Sequence, residues 1–533
     1  MNDLKAEKKR EKEKKRKKEK KEEYKYIFNE NYILQNDKKR YILTSRLVHE
    51  IFMDKNSEDF PESVHTVMHP LLALLFSLFD GKRTNEEVIA EYSKILELKK
   101  DIARQFVDDI ITEFVQEKKE KFIKFGDRHF FLPHNLLLRN EGKKETYRKY
   151  PISDFFIPKD NLDLKSFRSY YPLDCMFEVN FTCYTDCIYC YADRRNNDKC
   201  TIPFERLKEI IKEAREIGMR SFDLSGGEVF LYNKWENLLK ELYKNNFRPY
   251  LSTKIPITEA QIKKLKDIGQ QDIQLSIDSI KPEELQKILN VDLDYFEKME
   301  KTLKCLEREG LDLFVNGQIT NINNNPDHIK DMIEYFLSYS NLKRLKFNTV
   351  GRSLYLDPKL YDNICDSVEN IKKIDELVSS YQEKRSNIEI SFGGYSTKEK
   401  FVRSDIEAKT KAYIDRVKCS GNFYAFIILP NGQVTICEDL YFHPAFIIGD
   451  LKTQSIMEVW NSERALELYR LPKEQIRDES ACKNCPQDEY DDCRQIKGVC
   501  WKEILNAYDY ENWDYPDPKC PYAPEPLNKF WLD

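Results

Sequence analysis

Three cysteines stand close together in the stretch Cys183-Tyr-Thr-Asp-Cys187-Ile-Tyr-Cys190, with three residues between the first pair and two between the second. Cysteines at this spacing on one short loop can converge on a single metal centre. Thiolates are soft ligands that favour iron–sulfur clusters or zinc. Structural zinc usually takes four protein ligands, and this loop supplies three. A cubane cluster held by three cysteines leaves one iron open for a substrate or cofactor, so the loop fits an open cluster or, with a further ligand, zinc.

The residue before Cys190 is aromatic, Tyr189. The pattern Cys-x3-Cys-x-aromatic-Cys resembles the signature of the radical S-adenosylmethionine (SAM) enzymes. This resemblance implies that Cys183, Cys187 and Cys190 hold a 4Fe–4S cluster whose open iron takes the amino and carboxylate groups of SAM. It also implies that Tyr189 packs near the adenine.

A second group of cysteines lies near the end of the chain. Its members are Cys419, Cys437, Cys482, Cys485, Cys493, Cys500 and Cys520. Pro430-Asn431-Gly432 is a turn signal, and a hairpin around it would bring Cys419 and Cys437 together. A pair of zinc sites also suits such cysteines.

The order of these seven cysteines resembles the SPASM extension of radical SAM enzymes, which carries two auxiliary clusters. The resemblance implies that Cys482, Cys485, Cys493 and Cys520 hold one cluster. It implies that Cys419, Cys437 and Cys500 hold the other, whose fourth ligand is not evident in the sequence. The gaps of seven and six residues that follow Cys485 and Cys493 are longer than the family's usual five and three, so the ligand sets stay open at this point.

The first cysteine loop stands within a region that alternates strand and helix patterns from residue 176 to about 350. The predicted strands are Met176–Phe181, Ser221–Ser225, Pro249–Ser252, Ile273–Ile277, Leu313–Thr320 and Arg344–Asn348. The predicted helices between them lie near 207–217, 235–244, 259–267, 283–308 and 326–339. Strands that alternate with helices indicate a parallel sheet, curved or closed. The fold class is therefore α/β, and the family resemblance implies a partial (βα)6 TIM-like barrel with its site at the carboxyl ends of the strands.

The second predicted strand ends in Ser225-Gly226-Gly227-Glu228. Two glycines let the backbone approach a ligand closely, and Glu228 can pair with an ammonium group. This stretch resembles the Gly-Gly-Glu motif of the radical SAM family, which binds the amino group of SAM. Taken alone, the motif also fits an ordinary turn.

Polar residues follow the later strands as well. Ser276 and Asp278 suit the SAM ribose, as the end of the family's fourth strand often does, and Asp278 is also a candidate catalytic residue that touches the substrate. Ser252 at the end of the third strand and Gln318 on the fifth are candidate contacts to SAM or substrate. Arg352 could hold the SAM carboxylate or form a salt bridge within the fold. Alternatively, each of these residues is polar only because it lies at the solvent-facing rim of a barrel and contacts neither SAM nor substrate.

The front of the chain reads as a separate small domain. Residues 1–23 form a charged tail, and residues 24–133 combine a hairpin, three helices and a two-stranded wing, which is the order of a winged helix-turn-helix. Acidic residues on the third helix, such as Asp108 and Asp109, disfavour contact with DNA phosphates. The order resembles the PqqD-like domain that binds leader peptides by strand addition. Residues 134–175 are interpreted as a linker, residues 351–418 as a bridge with a strand at Asn387–Phe392, and residues 419–525 as the cysteine-rich SPASM domain.

Composition narrows the class of protein. The chain has 533 residues, 34% of them charged, and a formal net charge of −5, which gives no general reason to expect nucleic-acid binding. We find no apolar run long enough for a membrane span and no apolar core of a signal peptide near the start. A cytoplasmic location is therefore expected. In such a compartment fourteen cysteines indicate metal binding rather than disulfides.

Together the three regions resemble the radical SAM/SPASM maturases of ribosomally made peptides. The resemblance implies three 4Fe–4S clusters, SAM, a precursor peptide with a leader, and a reductant such as ferredoxin or flavodoxin. It implies hydrogen abstraction by a 5′-deoxyadenosyl radical. A cysteine thioether is the favoured product, because the first auxiliary set lacks an evident fourth ligand. The alternatives are carbon–carbon or carbon–oxygen cross-linking, oxidation of the sulfatase-maturase kind, or a zinc-stabilised binding or regulatory protein.

Overall fold

The computed structural model describes residues 24–46, 61–125, 128–140, 150–156, 162–163, 168–193, 199–384, 387–393, 406–416 and 419–527. The predicted charged tail, residues 1–23, lies outside these ranges. The chain divides into two compact units, residues 1–165 and 166–533. The first unit thus extends beyond residue 133, where the sequence predicted a linker, because strand Leu137–Asn140 pairs along Lys25–Phe28.

The first unit contains eight strands and three helices within the described residues. Its elements are β1 (Lys25–Phe28), β2 (Tyr32–Asn36), β3 (Tyr41–Ser45), β4 (His65–Met68), α1 (Pro70–Leu78), β5 (Asp80–Thr84), α2 (Asn85–Ile95), α3 (Lys100–Ile111), β6 (Lys121–Phe125), β7 (Arg128–Leu132) and β8 (Leu137–Asn140). They form antiparallel sheets of order β2-β3-β4 and β5-β1-β8, and a β6-β7 hairpin.

Local sequence explains much of this unit. The predicted hairpin is confirmed by the pairing of Tyr32 with Ser45 through Asn36 with Tyr41. The sequence Thr84-Asn-Glu-Glu87 predicts a capping box, and Thr84 and Glu87 form it at the start of α2, where it gives backbone N–H groups of the first turn their partners. Ile102 stands at helical spacing with the apolar residues of α3, which predicts a buried side chain, but it is 54% exposed and lies outside the buried stripe.

The second unit begins with alternating strands and helices. These are β9 (Asp174–Glu178), α4 (Phe204–Glu216), β10 (Ser221–Ser225), α5 (Trp235–Lys244), β11 (Ser252–Thr253), α6 (Glu259–Ile268), β12 (Asp272–Ser276), α7 (Pro282–Leu289), α8 (Tyr295–Glu309), β13 (Asp312–Ile319), α9 (Pro326–Phe336), β14 (Leu342–Thr349), α10 (Pro358–Ile364), α11 (Val368–Lys384) and β15 (Glu389–Gly393). The remainder contains α12 (Ile406–Asp415), β16 (Ala425–Ile428), β17 (Gln433–Thr435), β18 (Gly449–Asp450), α13 (Ile456–Trp460), α14 (Glu463–Arg470), α15 (Gln487–Asp491) and α16 (Trp501–Tyr508).

The six predicted strands are all present, and they lie in two sheets. Strands β11 to β15 form one parallel sheet in sequence order. Strands β9 and β10 are parallel neighbours in the other sheet, where β16 adds in parallel to the free side of β9 and begins the β16-β17-β18 ribbon. Two predicted boundaries therefore shift: the strand assigned to the bridge, β15, continues the sheet, and the hairpin before Cys437 is joined to the strand that precedes Cys183.

One face of the parallel strands is apolar and packs under the helices, and the opposite face is polar. In β13, Leu313, Val315 and Ile319 are buried in the apolar core. On the other face Asn316 donates to Gln274 Oε1 at 2.9 Å, within a network of side-chain hydrogen bonds. Parallel sheets are usually apolar on both faces, so the polar face indicates where ligands are received.

The predicted single helix over 283–308 is in fact two helices, α7 and α8. Asn290 ends α7 in a left-handed conformation with φ of 52°, which asparagine tolerates better than most residues. Among the described residues no helix is both long and apolar enough to cross a bilayer.

Candidate functional site

The loop that carries Cys183, Cys187 and Cys190 is anchored to the end of α7. The N–H of Asp186 donates to Leu289 O at 2.8 Å, and the N–H of Ile188 donates to Ile288 O at 3.0 Å. The last carbonyls of a helix have no partner within the helix, so they are free to hold a loop in this way. The end of α7 at Asn290 therefore leaves carbonyl groups that hold the cysteine loop in place.

The three thiols differ in exposure. Cys183 is exposed, whereas Cys187 and Cys190 are half-buried. Burial raises the pKa of the Cys190 thiol, the charge of Cys187 adds to this rise, and Lys254 opposes it. Cys187 Sγ also lies 3.3 Å from Thr185 Oγ1. Three soft donors on one loop, with an exposed thiol at its opening, fit a cluster of the type that the sequence predicted.

Gly226 and Gly227 sit where strand β10 meets the backbone that leads into the cysteine loop. A Cβ on Gly226 would overlap the carbonyl oxygen of Asn180, and a Cβ on Gly227 would overlap that of Thr182. Gly226 also has a φ of 112°, which favours glycine. The close approach in this structure is thus to the chain itself, where the sequence predicted an approach to a ligand.

Glu228 links the ends of two strands. Its carboxylate accepts hydrogen bonds from the N–H of Phe230 and the N–H of Lys254, both at 3.2 Å. Burial raises the pKa of Glu228 to about 7. Each oxygen keeps a lone pair for a further donor, which is compatible with the predicted contact to an ammonium group.

Tyr189, Lys254 and Asp278 form a hydrogen-bonded group across the cysteine loop, β11 and β12. The Lys254 ammonium donates to Asp278 Oδ2 at 2.9 Å and to the Tyr189 hydroxyl at 2.7 Å. Asp278 is fully buried, and its Oδ1 accepts from the N–H of Gln318 at 3.0 Å. No sequence pattern indicated this role of Lys254, because the pairing joins residues far apart in the chain.

The remaining predicted SAM contacts are spread over the same strand ends. Ser252 is half-buried beside Gln274, and Ser276 Oγ accepts a hydrogen bond from Gln274 Nε2 at 2.7 Å. Arg352 lies in the loop after β14, where burial lowers its pKa and the charges of Asp362 and Asp509 oppose that shift. Its contact with the SAM carboxylate stays a prediction.

The seven later cysteines influence one another's charge state in two groups. Burial raises the pKa of Cys500, and the charges of Glu503, Cys419 and Cys437 add to the rise. Cys419, Cys437 and Cys500 therefore lie within electrostatic reach of one another.

The other four later cysteines behave in the same way. Burial raises the pKa of Cys520 to about 12, and the charges of Cys493 and Cys482 add to the rise. Cys485 is influenced by Cys482 and Cys493 as well. Members of each set implied by the family resemblance thus influence one another electrostatically, and the two ligand sets stay predictions.

Two arginines face the set of four thiols. Arg494 Nη2 lies 3.4 Å from Cys482 Sγ, and Arg416 Nη2 lies 3.3 Å from Cys493 Sγ. Arg494 is buried, and its Nε and Nη1 have no hydrogen-bond partner. Unpaired buried N–H groups are costly, and a sulfur-rich anionic cluster would supply the acceptors. These residues therefore fit an iron–sulfur cluster, although no spacing rule in the sequence pointed to the arginines.

Three carboxylates flank the cysteines in the sequence, because Glu178 precedes Cys183 and the other two directly follow Cys437. We call Glu178, Glu438 and Asp439 the carboxylate cluster. Burial raises the pKa of Glu178, and the charges of Glu438 and Asp439 raise it further, so the three carboxyl groups lie within electrostatic reach of one another. Burial also raises the pKa of Glu438 to about 7. Tyr191, which follows Cys190, has its hydroxyl 3.5 Å from Glu438 Oε2.

Comparison with known proteins agrees with this geometry. Residues 177–336 match the family model of the radical SAM superfamily, and residues 419–486 match that of the SPASM iron–sulfur cluster-binding domain. The chain therefore contains a radical SAM domain and a SPASM domain, as predicted. The PqqD-like identity of the first unit and the bond that is formed stay predictions.

Individual relatives are more distant. A probable GTP 3′,8-cyclase of Methanococcus maripaludis is 28% identical over 116 residues, which is 21% of this chain and 39% of the relative. The chain thus spans about two fifths of the length of that curated relative.

Among solved structures, Streptococcus suis SuiB bound to S-adenosylmethionine has a TM-score of 0.59 and 14% identity over 92% of this chain and 98% of SuiB. SuiB bound to its precursor peptide SuiA gives the same TM-score and coverage at 13% identity. At these identities the match shows a shared fold.

Proposed function

We propose that this chain is a radical SAM enzyme that modifies a precursor peptide by forming cysteine thioether cross-links. The observation that supports the proposal is that Cys419 and Cys437 act on the charge state of Cys500 while Cys482 and Cys493 act on that of Cys520, as expected for a set of three and a set of four. Four thiolates complete a cubane cluster, whereas three leave one iron able to accept an outside thiolate. A peptide cysteine is the substrate that suits such a position.

The residues of the radical SAM domain have distinct roles in this account. Cys183, Cys187 and Cys190 would hold the cluster that, with SAM, supplies a 5′-deoxyadenosyl radical. Glu228 receives the SAM ammonium. Tyr189 is held by Asp278 and Lys254, so the wall of the site is fixed before substrate enters.

The first unit is proposed to bind the leader of the peptide by strand addition to β4. The outer edge of β2 is covered, because the N–H of Leu34 donates to the Tyr150 hydroxyl at 3.3 Å and the Asn36 side-chain amide donates to Asp154 O. In the described part of the chain β4 pairs only with β3. Support also comes from the fold shared with SuiB, which has been solved with a precursor peptide bound.

The test is a peptide mass spectrum. The chain is expressed without oxygen beside an encoded, cysteine-containing precursor peptide, with the Cys187→Ala variant as the matched control. A loss of two hydrogens for each alkylatable cysteine that disappears is the expected result. The same mass loss with every cysteine still alkylated would replace the thioether by a carbon–carbon or carbon–oxygen link. Conversion of GTP in place of any peptide would overturn the peptide assignment.

A further inference from the structure

We propose that the carboxylate cluster of Glu178, Glu438 and Asp439 is a recognition site for a cationic side chain, lysine or arginine, of the substrate. The proposal deepens the proposed function and rests on it for the peptide as the source of that side chain. The cluster belongs to neither cysteine set and has no part in the SAM contacts described above.

Glu178 provides the first argument. It is the last residue of β9, and Cys175 and Phe177 on the opposite face of that strand belong to the apolar core. Because side chains alternate along a strand, Glu178 lies on the polar face. It is 1% exposed, and its Oε2 has no hydrogen-bond partner. A buried acceptor without a donor indicates a partner that arrives with the ligand.

The position of the cluster provides the second argument. Glu438 and Asp439 directly follow Cys437, and Tyr191 directly follows Cys190. Tyr191 is 41% exposed and its hydroxyl contacts Glu438, so this side of the cluster is accessible from solvent. A peptide side chain that enters there would hold the neighbouring residue beside the reacting position.

Charge provides the third argument. Lys502 Nζ lies 3.1 Å from Asp439 Oδ2 and balances that carboxylate. Glu178 and Glu438 add two further carboxyl groups to the same place. An ammonium or guanidinium donates several hydrogen bonds at once and so can satisfy these oxygens together.

Aromatic rings decide between an organic cation and a metal ion. Tyr441 packs edge-on against Phe181 at 5.3 Å and against Tyr355 at 5.4 Å between ring centroids. The Tyr355 hydroxyl donates to the carbonyl oxygen of Asp439 at 3.0 Å, which ties these rings to the cluster. Rings beside carboxylates suit an ammonium or guanidinium, whereas hard metal ions prefer a shell of oxygens.

The test measures, without oxygen, how small probes bind to the protein loaded with its iron–sulfur clusters. The probes are N-acetyl-lysine amide, N-acetyl-arginine amide and the uncharged N-acetyl-norleucine amide. Their binding is measured by ligand-observed NMR titration. We expect at least one cationic probe to bind about tenfold more tightly than the norleucine probe, and Glu178→Gln to weaken that binding by about tenfold. Glu213→Gln, at a half-buried glutamate that accepts from the N–H of Met457 elsewhere in the unit, is the matched control and leaves binding unchanged.

Three results would overturn the proposal: equal binding of the norleucine probe, unchanged binding to a folded Glu178→Gln protein, or binding of Mg²⁺ in place of the amides. The comparison of lysine with norleucine uses the natural chain, so it decides the matter even if Glu178→Gln fails to fold. Binding of a cationic probe without any peptide modification would support the recognition site and contradict the proposed function. Modification of a peptide at the same rate whether it carries lysine, arginine or norleucine would support the proposed function and contradict the recognition site.

Discussion

The hydroxyl of Tyr189 donates a hydrogen bond to Oδ2 of Asp278, with 2.5 Å between the two oxygens. The same carboxylate oxygen accepts from Lys254, and Asp278 is fully buried. One buried carboxylate thus ties the aromatic residue of the cysteine loop to the ends of two parallel strands. The position of the loop depends on a charge pair that lies outside it.

Lys254→Met should therefore be strongly destabilising. It leaves the buried Asp278 carboxylate without its cation, and the free energy of unfolding should fall by roughly 3–5 kcal/mol. Adding Asp278→Asn should recover much of that loss, because the unpaired charge is removed as well. Denaturant titration of the cluster-free protein measures both variants. As the control, Lys240→Met breaks the exposed pair with Glu236 and should cost less than about 1 kcal/mol. Additive losses in the Lys254→Met, Asp278→Asn double variant would refute the coupling between these two residues.

SAM affinity should depend on pH through Glu228. Burial raises its pKa to about 7, so it is mostly neutral at pH 6 and mostly ionised at pH 8. Only the ionised form pairs with an ammonium, and affinity should rise about tenfold between pH 6 and the plateau near pH 7.5. Above about pH 8 the amino group of SAM itself loses its proton, and affinity should fall again.

Equilibrium dialysis of SAM against the natural chain and Glu228→Gln checks this dependence. The glutamine variant should bind more weakly and lose the acid limb. An unchanged acid limb in Glu228→Gln would assign the dependence to another group.

The raised pKa of Glu228 also affects stability. Without SAM the folded chain holds a proton that the unfolded chain releases near pH 4.5, so the free energy of unfolding should fall as pH rises from about 4.5 through about 7.

Leader binding should depend on the outward N–H of Val67. The backbone N–H of Ser45 donates to Val64 O at 3.0 Å. Because hydrogen-bonded and non-hydrogen-bonded pairs alternate along an antiparallel ladder, Thr66 bonds to β3 and the N–H of Val67 points to the free edge. Val67→Pro should weaken binding of a leader peptide at least about tenfold without unfolding the sheet. Val67→Ala keeps the N–H and is the matched control. Equal leader affinity for the two variants, measured by fluorescence anisotropy, would exclude β4 as the docking edge.

The two sets of later cysteines should lose metal independently. Cys500→Ala and Cys485→Ala should each remove one cluster, or about four of about twelve iron atoms per chain, and each should leave SAM cleavage by the first loop measurable. Cys305→Ala, at a buried thiol on α8, should lose none. Iron and sulfide analysis with paramagnetic resonance reads the result. Loss of the same signal in both variants would contradict the division into two sets, and zinc in place of iron would contradict the cluster assignment.

Local pattern was enough to predict the elements that hold the site. The strand that precedes Glu228, the capping box at Thr84 and the hairpin at Asn431-Gly432 each depend on residues a few positions apart. Strand ends shifted by a few residues at most, as where Pro249–Ser252 became Ser252–Thr253. The cysteine sets could be grouped because a family pattern exists for them.

No local sequence pattern predicts the contacts between distant segments. The pairing of β16 with β9 joins Ala425 to Asp174, and the ion pair of Lys254 with Asp278 depends on two strands meeting side by side. The unpaired oxygen of Glu178 is visible only once burial is known. These features arise from packing, so periodicity and spacing could not predict them.

Formation of 5′-deoxyadenosine tests the central claim most directly. The chain is loaded with iron and sulfide without oxygen, reduced, and mixed with SAM, and the nucleoside is quantified by chromatography. The natural chain and Cys305→Ala should both be brown and produce it, while Cys187→Ala should fall to background and keep its auxiliary clusters. Production by Cys187→Ala at the natural rate, or a colourless natural chain with stoichiometric zinc, would contradict the account.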